Sequence, residues 1–507
     1  MSKGNLSTAV KNGAGCLLAE VPLLGYGEYA EGLLAEVSAG NRVAACFGHA
    51  GEEGLEIFAV VARDWQGDLA LLRTRIGERF ASLTPRCPQL QVFEREIAEQ
   101  FGVVPEGHPW FKPVRFHQSW REGKDAWGRK SNRHPVPGKM DFYRVEGEEV
   151  HEVAVGPVHA GVIEPGHFRF QCHGERVMHL EVSLGYQHRG VERLLAAGPH
   201  ATTSHQVETA AGDTTIGHMI AYCQAVEALA GVAPSPRADR IRSIALELER
   251  LANHVGDLGA LAGDVGFLPT ASFCGRLRGD FLNMSAALCG SRFGRGLVRP
   301  GGCGFDLDPA LAGDLRGRLE TAAREVRGAV NLFFDSPSVL SRLEGTGKVT
   351  AEVAEELGLV GVAAKASALV RDSRLHHPQG AYRDSFDSVI IEDGGDVFAR
   401  AHVRRREITA SLDIVRELLS RLPGGELRVP VGPLRPSALA VSLAEGWRGE
   451  IVHVAMTDET GRFSRYKIVD PSFHNWSGLA MALRNEQISD FPLCNKSFNL
   501  SYCGFDL

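Results

Sequence analysis

Residues 237–261, RADRIRSIALELERLANHVGDLGAL, place Ile241, Ile244, Leu248, Leu251, Val255 and Leu258 at spacings of three and four. Only a long α-helix brings such a stripe to one side. LAGDLRGRLETAAREVRGAVNLFF (311–334) and ARAHVRRREITASLDIVRELLSRL (399–422) repeat the pattern. Long amphipathic helices with few strands between them predict a helical bundle at the centre of the chain.

The flanks read differently. LEIFAVVARD (55–64) is strand-like, LALLRTRIGERFASL (69–83) has helical spacing, and QLQVFEREIAEQFGV (89–103) runs from a strand into a charged helix. A polar stretch from Phe116 to Lys139 reads as a linker or an arm lying on another surface. HEVAVGPV, HFRFQCHG and ERVMHLEVSLGY follow as β-rich runs, the last two joined by an HGE turn, with the loop HAGVIEPG between the first two. LRVPVG, EIVHVAMTD and RFSRYKIVDPSF return to strands near the end. The expected class is therefore α+β. A small α+β domain (1–115) and a linker or arm (116–145) precede a large domain (146–507) with a helical bundle core and flanking β-sheets. A length of 507 residues fits such a division.

Charge and cysteine usage narrow the chemistry. Lys+Arg (55) and Asp+Glu (62) are intermixed at a net charge of -7, which argues against nucleic acid as a partner. No apolar run reaches the roughly 18–20 residues of a membrane span, and MSKGNLSTAVKNGAG lacks a secretory layout. A cytoplasmic protein is expected, reaching a membrane only through partner subunits. The ten cysteines contain no C-x-x-C pair, so buried thiols in a reducing compartment are expected rather than a zinc or iron–sulfur site. Adjacent His376 and His377 point different ways on any regular element, which disfavours a metal there. Glu94, Arg95 and Glu96 read as solvated charges opening a helix. Glu247, Arg250 and His254 read as helix-surface pairing, or as a contact with a membrane arm.

Three stretches carry a resemblance. FEREIAEQFGVVPEGHPWFKPVRF (93–116) looks like the signature of the thirty-kilodalton type of complex I subunit. GPVHAGVIEPGHFRF (156–170) with LGYQHRGVERLL (184–195) is similar to the start of the large subunit of group 4 nickel–iron hydrogenases and of the forty-nine-kilodalton subunit of complex I. DPSFHNWSGLAMALRNEQISDFPLCNKSFNLSYCGFDL (470–507) resembles that family's C-terminus. The matches run in the expected order. Fusion of the thirty-kilodalton type of domain to the large one resembles the formate hydrogenlyase and hydrogenase-4 branch.

Hydrogenases of this family hold nickel with two C-x-x-C pairs, because sulfur bridges nickel and low-spin iron. By the resemblance, the first pair falls at Ala211 and Thr214, with Thr209 where an arginine usually precedes them. The second falls at Ser501 and Gly504, with Cys503 one place off. The resemblance then implies no nickel, as in energy-converting hydrogenase-related proteins. The chain stops about where processed hydrogenases end, which agrees with a missing maturation step.

Complex I reuses the same cavity for quinone. The resemblance places the loop histidine of that site at His167, which otherwise reads as capping backbone. It places the quinone-binding tyrosine at position 200, where this chain has His200. Asp213 and His218 flank the vacated turn as candidates for a proton path. Arg371, Asp372 and Arg374 either line the far side of the site or form a buried Arg–Asp pair holding helices together.

The resemblance implies an electron-transfer subunit of a complex I-like, NADH-quinone oxidoreductase-like assembly, peripheral on the cytoplasmic face of the plasma membrane. No cofactor is expected in this chain beyond a quinone candidate. A small partner subunit would hold the iron–sulfur cluster, and antiporter-like and proton-channel subunits would move protons or sodium. The alternatives are a non-redox scaffold subunit or an active group 4 hydrogenase.

Overall fold

The computed structural model describes residues 6–51, 53–129, 134–159 and 164–507. The expected loop HAGVIEPG lies partly outside them, at residues 160–163, as does part of the linker, at 130–133.

The N-terminal layer contains β1 (Thr8–Val10), β2 (Ala14–Leu17), α1 (Tyr26–Ser38), β3 (Arg42–Gly51), β4 (Gly54–Arg63), β5 (Asp68–Ile76) and α2 (Gln91–Phe101). Its sheet has the order β1–β5–β4–β3, with Leu23–Leu24 pairing in parallel with β5. Within the 69–83 stretch, residues 69–76 are thus strand β5 and Arg79–Ala81 a second short strand, and neither is a helix. Leu69, Ala70, Leu71 and Leu72 are all buried, so both faces of the strand are covered and a continuous apolar run replaces alternation. Pairing with β4, Val60 opposite Leu71, overrides the local spacing.

β2 does not join this sheet. It pairs with the C-terminal sheet, Ala14 opposite Val441 through Leu17 opposite Ala438, so the first residues of the expected small domain belong structurally to the large one.

The middle holds β6 (Val150–Val155), β7 (His167–His173) and β8 (Arg176–Ser183), in the order β8–β7–β6. The predicted hairpin at HGE is the β7–β8 turn. The bundle follows: α3 (Thr215–Ala230), α4 (Pro236–Asp264), α5 (Leu268–Cys289), α6 (Pro309–Phe334) and α7 (Val397–Ser420). Ser235 caps α4 by accepting from the amide of Ala238, with Pro236 in the first turn where its missing N–H costs nothing. The Ile241–Leu258 stripe is buried as expected. The opposite side is buried too, because α4 is the central helix, packed on α5 and α7, with its Arg250 side chain reaching the carbonyls of Glu445 and Gly446. Glu247, Arg250 and His254 are therefore interior residues, at 0%, 1% and 0% exposure, and not a surface face.

The C-terminal sheet is β11–β10–β9–β2, with β9 (Ala438–Gly446), β10 (Gly449–Thr457) and β11 (Phe463–Val469). α8 (Pro471–Ala482) and α9 (Tyr502–Asp506) end the chain. LRVPVG forms only an isolated bridge from Arg428 to Gly302, since its proline and the one that follows cannot donate to a ladder. One contiguous apolar core runs through the N-terminal sheet, the bundle and the C-terminal sheet.

The charged face of α2 is also interior, contrary to the solvated face expected for Glu94 and Glu96. Glu94 accepts from Leu83 N, Thr84 Oγ1 and Ser82 Oγ. Glu96 pairs with Arg115 and with Lys467 of β11. Glu99 accepts the amides of Val114, Arg115 and Phe116, which fixes the start of the arm. Arg95 is half-buried and holds the carbonyls of Lys112 and Pro113. A helix that joins two layers must satisfy its charges internally.

Candidate functional site

The hairpin β9–β10 closes at Gly446 opposite Gly449, leaving Trp447 and Arg448 as its two turn residues. Gly449 has φ +139°, and a Cβ there would sit 2.8 Å from Gly361, so this turn requires glycine. It delivers the Arg448 guanidinium to the turn before α3. Arg448 donates to both Asp213 oxygens, at 2.6 and 2.8 Å, and to Thr214 Oγ1 at 3.3 Å. Its Nε donates to the carbonyl of Asn499, and its plane lies 3.8 Å from the Trp447 ring.

The two vacated turns converge here. Arg189 donates to the carbonyls of Thr209 and Ala210 on one side and of Cys503 on the other. Ala211 is buried and offers no donor atom. Ser501 caps α9, accepting from Gly504 N at 2.9 Å, and donates its own amide to Ser472 Oγ. A Cβ at Gly504 would meet the Asp470 carboxylate at 2.6 Å and Ser501 Oγ at 2.9 Å. A cysteine there needs Asp470 to move.

Asp470 begins a buried chain. His218 Nε2 lies 3.2 Å from Asp470 Oδ2, His218 Nδ1 lies 3.1 Å from His453 Nε2, and His453 Nδ1 lies 2.9 Å from Tyr466 Oη. One assignment satisfies every member: Tyr466 donates to His453, His453 to His218, and His218 to Asp470. Burial and the neighbouring His218 push His453 well below the usual imidazole range, which keeps it neutral as that assignment requires.

Burial alone would raise Asp213, but Arg448 outweighs it and holds the carboxyl below its ordinary value. About a third of this side chain, 33%, stays exposed. Nearby Glu249 accepts the amides of Ile216 and Gly217 at the start of α3. Burial raises it to about 8, so it is protonated at neutral pH. This fit is poor for nickel and iron. None of the four positions offers a thiolate, and the Arg448 guanidinium bonded to Thr214 Oγ1 sets a fixed positive charge against one of them. Among the described residues no group of three or more His, Cys, Asp or Glu has metal-binding geometry.

Asp372 and Arg374 lie elsewhere, in a seam inside the bundle. Lys365 contacts Asp372, Glu407 and Glu445 at 2.5, 2.8 and 3.3 Å. Arg374 pairs with Asp372 at 2.7 Å and Glu247 at 3.3 Å. His254 Nε2 meets Glu407 at 2.7 Å, and Tyr382 and Ser411 donate to Glu247. Of the two readings for these residues, this geometry is that of a buried pair holding helices together. Burial works against the Lys365 ammonium, but its three carboxylates outweigh burial and hold it above its ordinary value.

Arg371 faces the N-terminal layer, donating to the carbonyl of Leu359. Burial and Arg42 push it down to about 10. Its neighbour His377 pairs with Asp64, whereas His376 bonds the carbonyl of Val370, so the two histidines diverge as expected. His167 is saturated: Nδ1 bonds the carbonyl of Gly156 and Nε2 accepts from Arg169. His200 is exposed, bonds the carbonyl of Ala196 and rims a cleft of about 420 Å3 with Tyr222 and Arg299. Neither shares a hydrogen bond with the Asp213–His218 group among the described residues.

Sequence reasoning brought out Asp213, His218 and the four vacated positions, which the fold unites. It missed Arg448, Asp470, His453 and Glu164, whose Oε2 accepts the amides of Tyr502 and Cys503. Glu164 and Asp470 stand inside the stretches that carry the resemblance. Arg448 is flagged only by EGWRGE between two apolar runs.

Comparison with known proteins agrees with this architecture. The family model of the respiratory-chain NADH dehydrogenase 49 Kd subunit matches residues 264–437, and that of the 30 Kd subunit matches residues 36–131. Formate hydrogenlyase subunit 5 of Escherichia coli is 30% identical over 432 residues, covering 83% of this chain and 76% of the relative. Hydrogenase-4 component G of the same organism is 30% identical over 440 residues, 84% and 75% of the two chains. NADH-quinone oxidoreductase subunit 4 of Thermus thermophilus is 30% identical over 369 residues, 68% of this chain and 90% of the relative. The chain belongs to the family that unites the large subunits of complex I and of membrane-bound hydrogenases, in the branch that carries the smaller complex I domain fused at its N-terminus.

Proposed function

We propose that the chain is the large subunit of a membrane-associated, complex I-like oxidoreductase in which the nickel–iron pocket has become a metal-free, charged cluster that handles protons. The Arg448–Asp213 ion pair against Thr214 carries this reading. A guanidinium supplies fixed positive charge beside the turn where the resemblance puts a metal ligand, and it ties that turn to the carbonyl of Asn499 just before Ser501.

Electrons would arrive from an iron–sulfur cluster in a small partner subunit. Asp213, partly open to solvent and held ionised by Arg448, would draw protons taken up with them toward the site, and the enclosed Asp470–His218–His453–Tyr466 chain would relay them. Antiporter-like and channel partners in the membrane would couple this to proton or sodium movement. Among the described residues no helix is long and apolar enough to cross a membrane, so attachment would be peripheral, through those partners and on the cytoplasmic face. Quinone is not supported through the two histidines: His167 has no free ring nitrogen and His200 lies on the surface. Any acceptor would have to reach Asp213 and Arg448.

The test uses the assembled complex, with ion pumping and electron transfer measured in membrane vesicles. Asp213→Asn and His218→Gln are each expected to slow both activities at least tenfold. Retention of both activities in both variants would leave the second reading, a non-redox scaffold whose cavity only transmits conformational change.

A further inference from the structure

A cavity of about 280 Å3 opens where the arm, α2, β8 and α8 meet, away from the Arg448 cluster. Val92, Trp110, Met140, Val182, Met481 and Phe505 give it apolar walls. Two arginines line it as well, Arg95 and Arg484, and neither has a carboxylate within 4.0 Å among the described residues. Arg95 donates only to neutral acceptors: the carbonyls of Lys112 at 2.8 Å and Pro113 at 3.0 Å, and Gln91 Oε1 at 3.3 Å. Glu181 also lines the cavity and, with Glu99, acts on Arg95 through space, but it is directly held by Lys112 at 2.6 Å and the amide of Tyr143 at 2.7 Å.

Several fully buried arginines of the molecule are paired more directly. Arg115, Arg242 and Arg404 each hold a carboxylate, Glu96, Glu227 and Asp257 respectively. The half-buried Arg95 guanidinium lies against an apolar wall with no directly bonded counter-charge, and an anion on it relieves that cost. Burial lowers Arg95 only to about 10, so it remains charged at neutral pH. Three further lining side chains carry buried polar atoms with no partner among the described residues: His179 Nε2, Ser183 Oγ and Trp476 Nε1. Trp476 Nε1 can only donate, and Ser183 Oγ and His179 Nε2 can each donate or accept, so all three can serve an acceptor.

We propose that this cavity is a binding site for a small apolar monocarboxylate, its carboxylate on Arg95 and Arg484 and its ring or short chain against the apolar walls. The volume lies just under the roughly 300 Å3 at which small-molecule pockets begin, which limits the ligand to about the size of a substituted benzoate. Because the walls come from both α2 and α8, a bound carboxylate links the N-terminal layer to the C-terminal helices and stabilises their junction by mass action.

Titration of the full-length chain with 4-fluorobenzoate, followed by 19F NMR, tests this, with 4-fluorobenzamide as the neutral probe of equal shape. The carboxylate is expected to bind saturably and the amide at least about tenfold more weakly, the loss expected when a charge-assisted hydrogen bond is removed. Arg95→Met should weaken the carboxylate about tenfold or more, and the exposed Arg484→Met should weaken it less. Arg95 also holds the arm, so Ala480→Phe provides a second route: it fills the cavity from α8 and should abolish binding while circular dichroism stays unchanged. Equal affinity for acid and amide, unchanged binding in Ala480→Phe, or no saturation up to about 1 mM probe would overturn the assignment.

Discussion

The Arg448 cluster and the Lys365 seam are both networks of buried charge supported by α4 and its neighbours, yet they are built to different rules. In the seam, Lys365, Arg374 and Arg250 face Asp372, Glu407, Glu247 and Glu445. Burial, with Asp372 adding to it, pushes the Glu445 carboxyl up, while Lys365, Arg374 and the Ser373 amide oppose the rise. Every one of these side chains is nearly or fully enclosed. The Arg448 cluster instead keeps Asp213 a third exposed and strings His218 and His453 behind Asp470. A closed network holds helices together. An open one backed by a chain of hydrogen-bonded rings can exchange a proton with solvent.

That contrast predicts a ranking of effects. Lys365→Met leaves three carboxylates around an apolar side chain and is expected to destabilise the protein by about 3–5 kcal/mol, read from urea denaturation. A loss under ~1 kcal/mol would mean that the seam is wetter than its geometry indicates. Gly504→Cys forces a Cβ against Asp470 and should cost about 1–3 kcal/mol. The fourfold variant Ala211→Cys, Thr214→Cys, Ser501→Cys and Gly504→Cys is expected to bind no nickel while Arg448 and Asp470 remain. Nickel uptake by that variant would break the argument that the guanidinium excludes a metal.

Arg448→Met should cost less, about 1–2 kcal/mol, because Asp213 can turn to water. Its signature is pH. Asp213 lies below its ordinary value in the folded protein, so the unfolded chain binds the proton more readily. The stability this provides is present above about pH 4 and is lost as pH falls through the folded value. Acid denaturation curves of Arg448→Met should lack that contribution, and identical curves would refute the pairing. The last effect is a gain. Glu249 titrates near 8 when folded and near its ordinary value when unfolded, so folding loses stability as pH rises between the two. Glu249→Gln should therefore be more stable by several kcal/mol at pH 9, about 1.4 kcal/mol for each unit between the two values, and nearly unchanged at pH 4. Equal stability of variant and parent at pH 9 would contradict the shift.

The bundle was legible because its apolar stripes repeat at helical spacing over many turns. β5 was not, since LALL buries both faces of a strand and so shows no alternation. The interior position of Glu247, Arg250 and His254 was equally hidden. A polar stripe on a helix reads the same whether it faces water or partner charges. Here Arg374 and Ser411 lie 127 and 164 residues from Glu247, and Glu407 lies 153 residues from His254. Of the site, Asp213 and His218 were visible from their place beside the former ligand turn. Arg448 and His453 come from a hairpin and each stands 235 residues from its partner at that turn, so no local pattern connects them.

The proposed function requires that this pocket hold an arginine–carboxylate pair and no nickel–iron centre. Nickel in the purified, assembled complex can be quantified by mass spectrometry. It is expected at background relative to the chain, with no hydrogen uptake or evolution. A full equivalent of nickel per chain would contradict the proposed function.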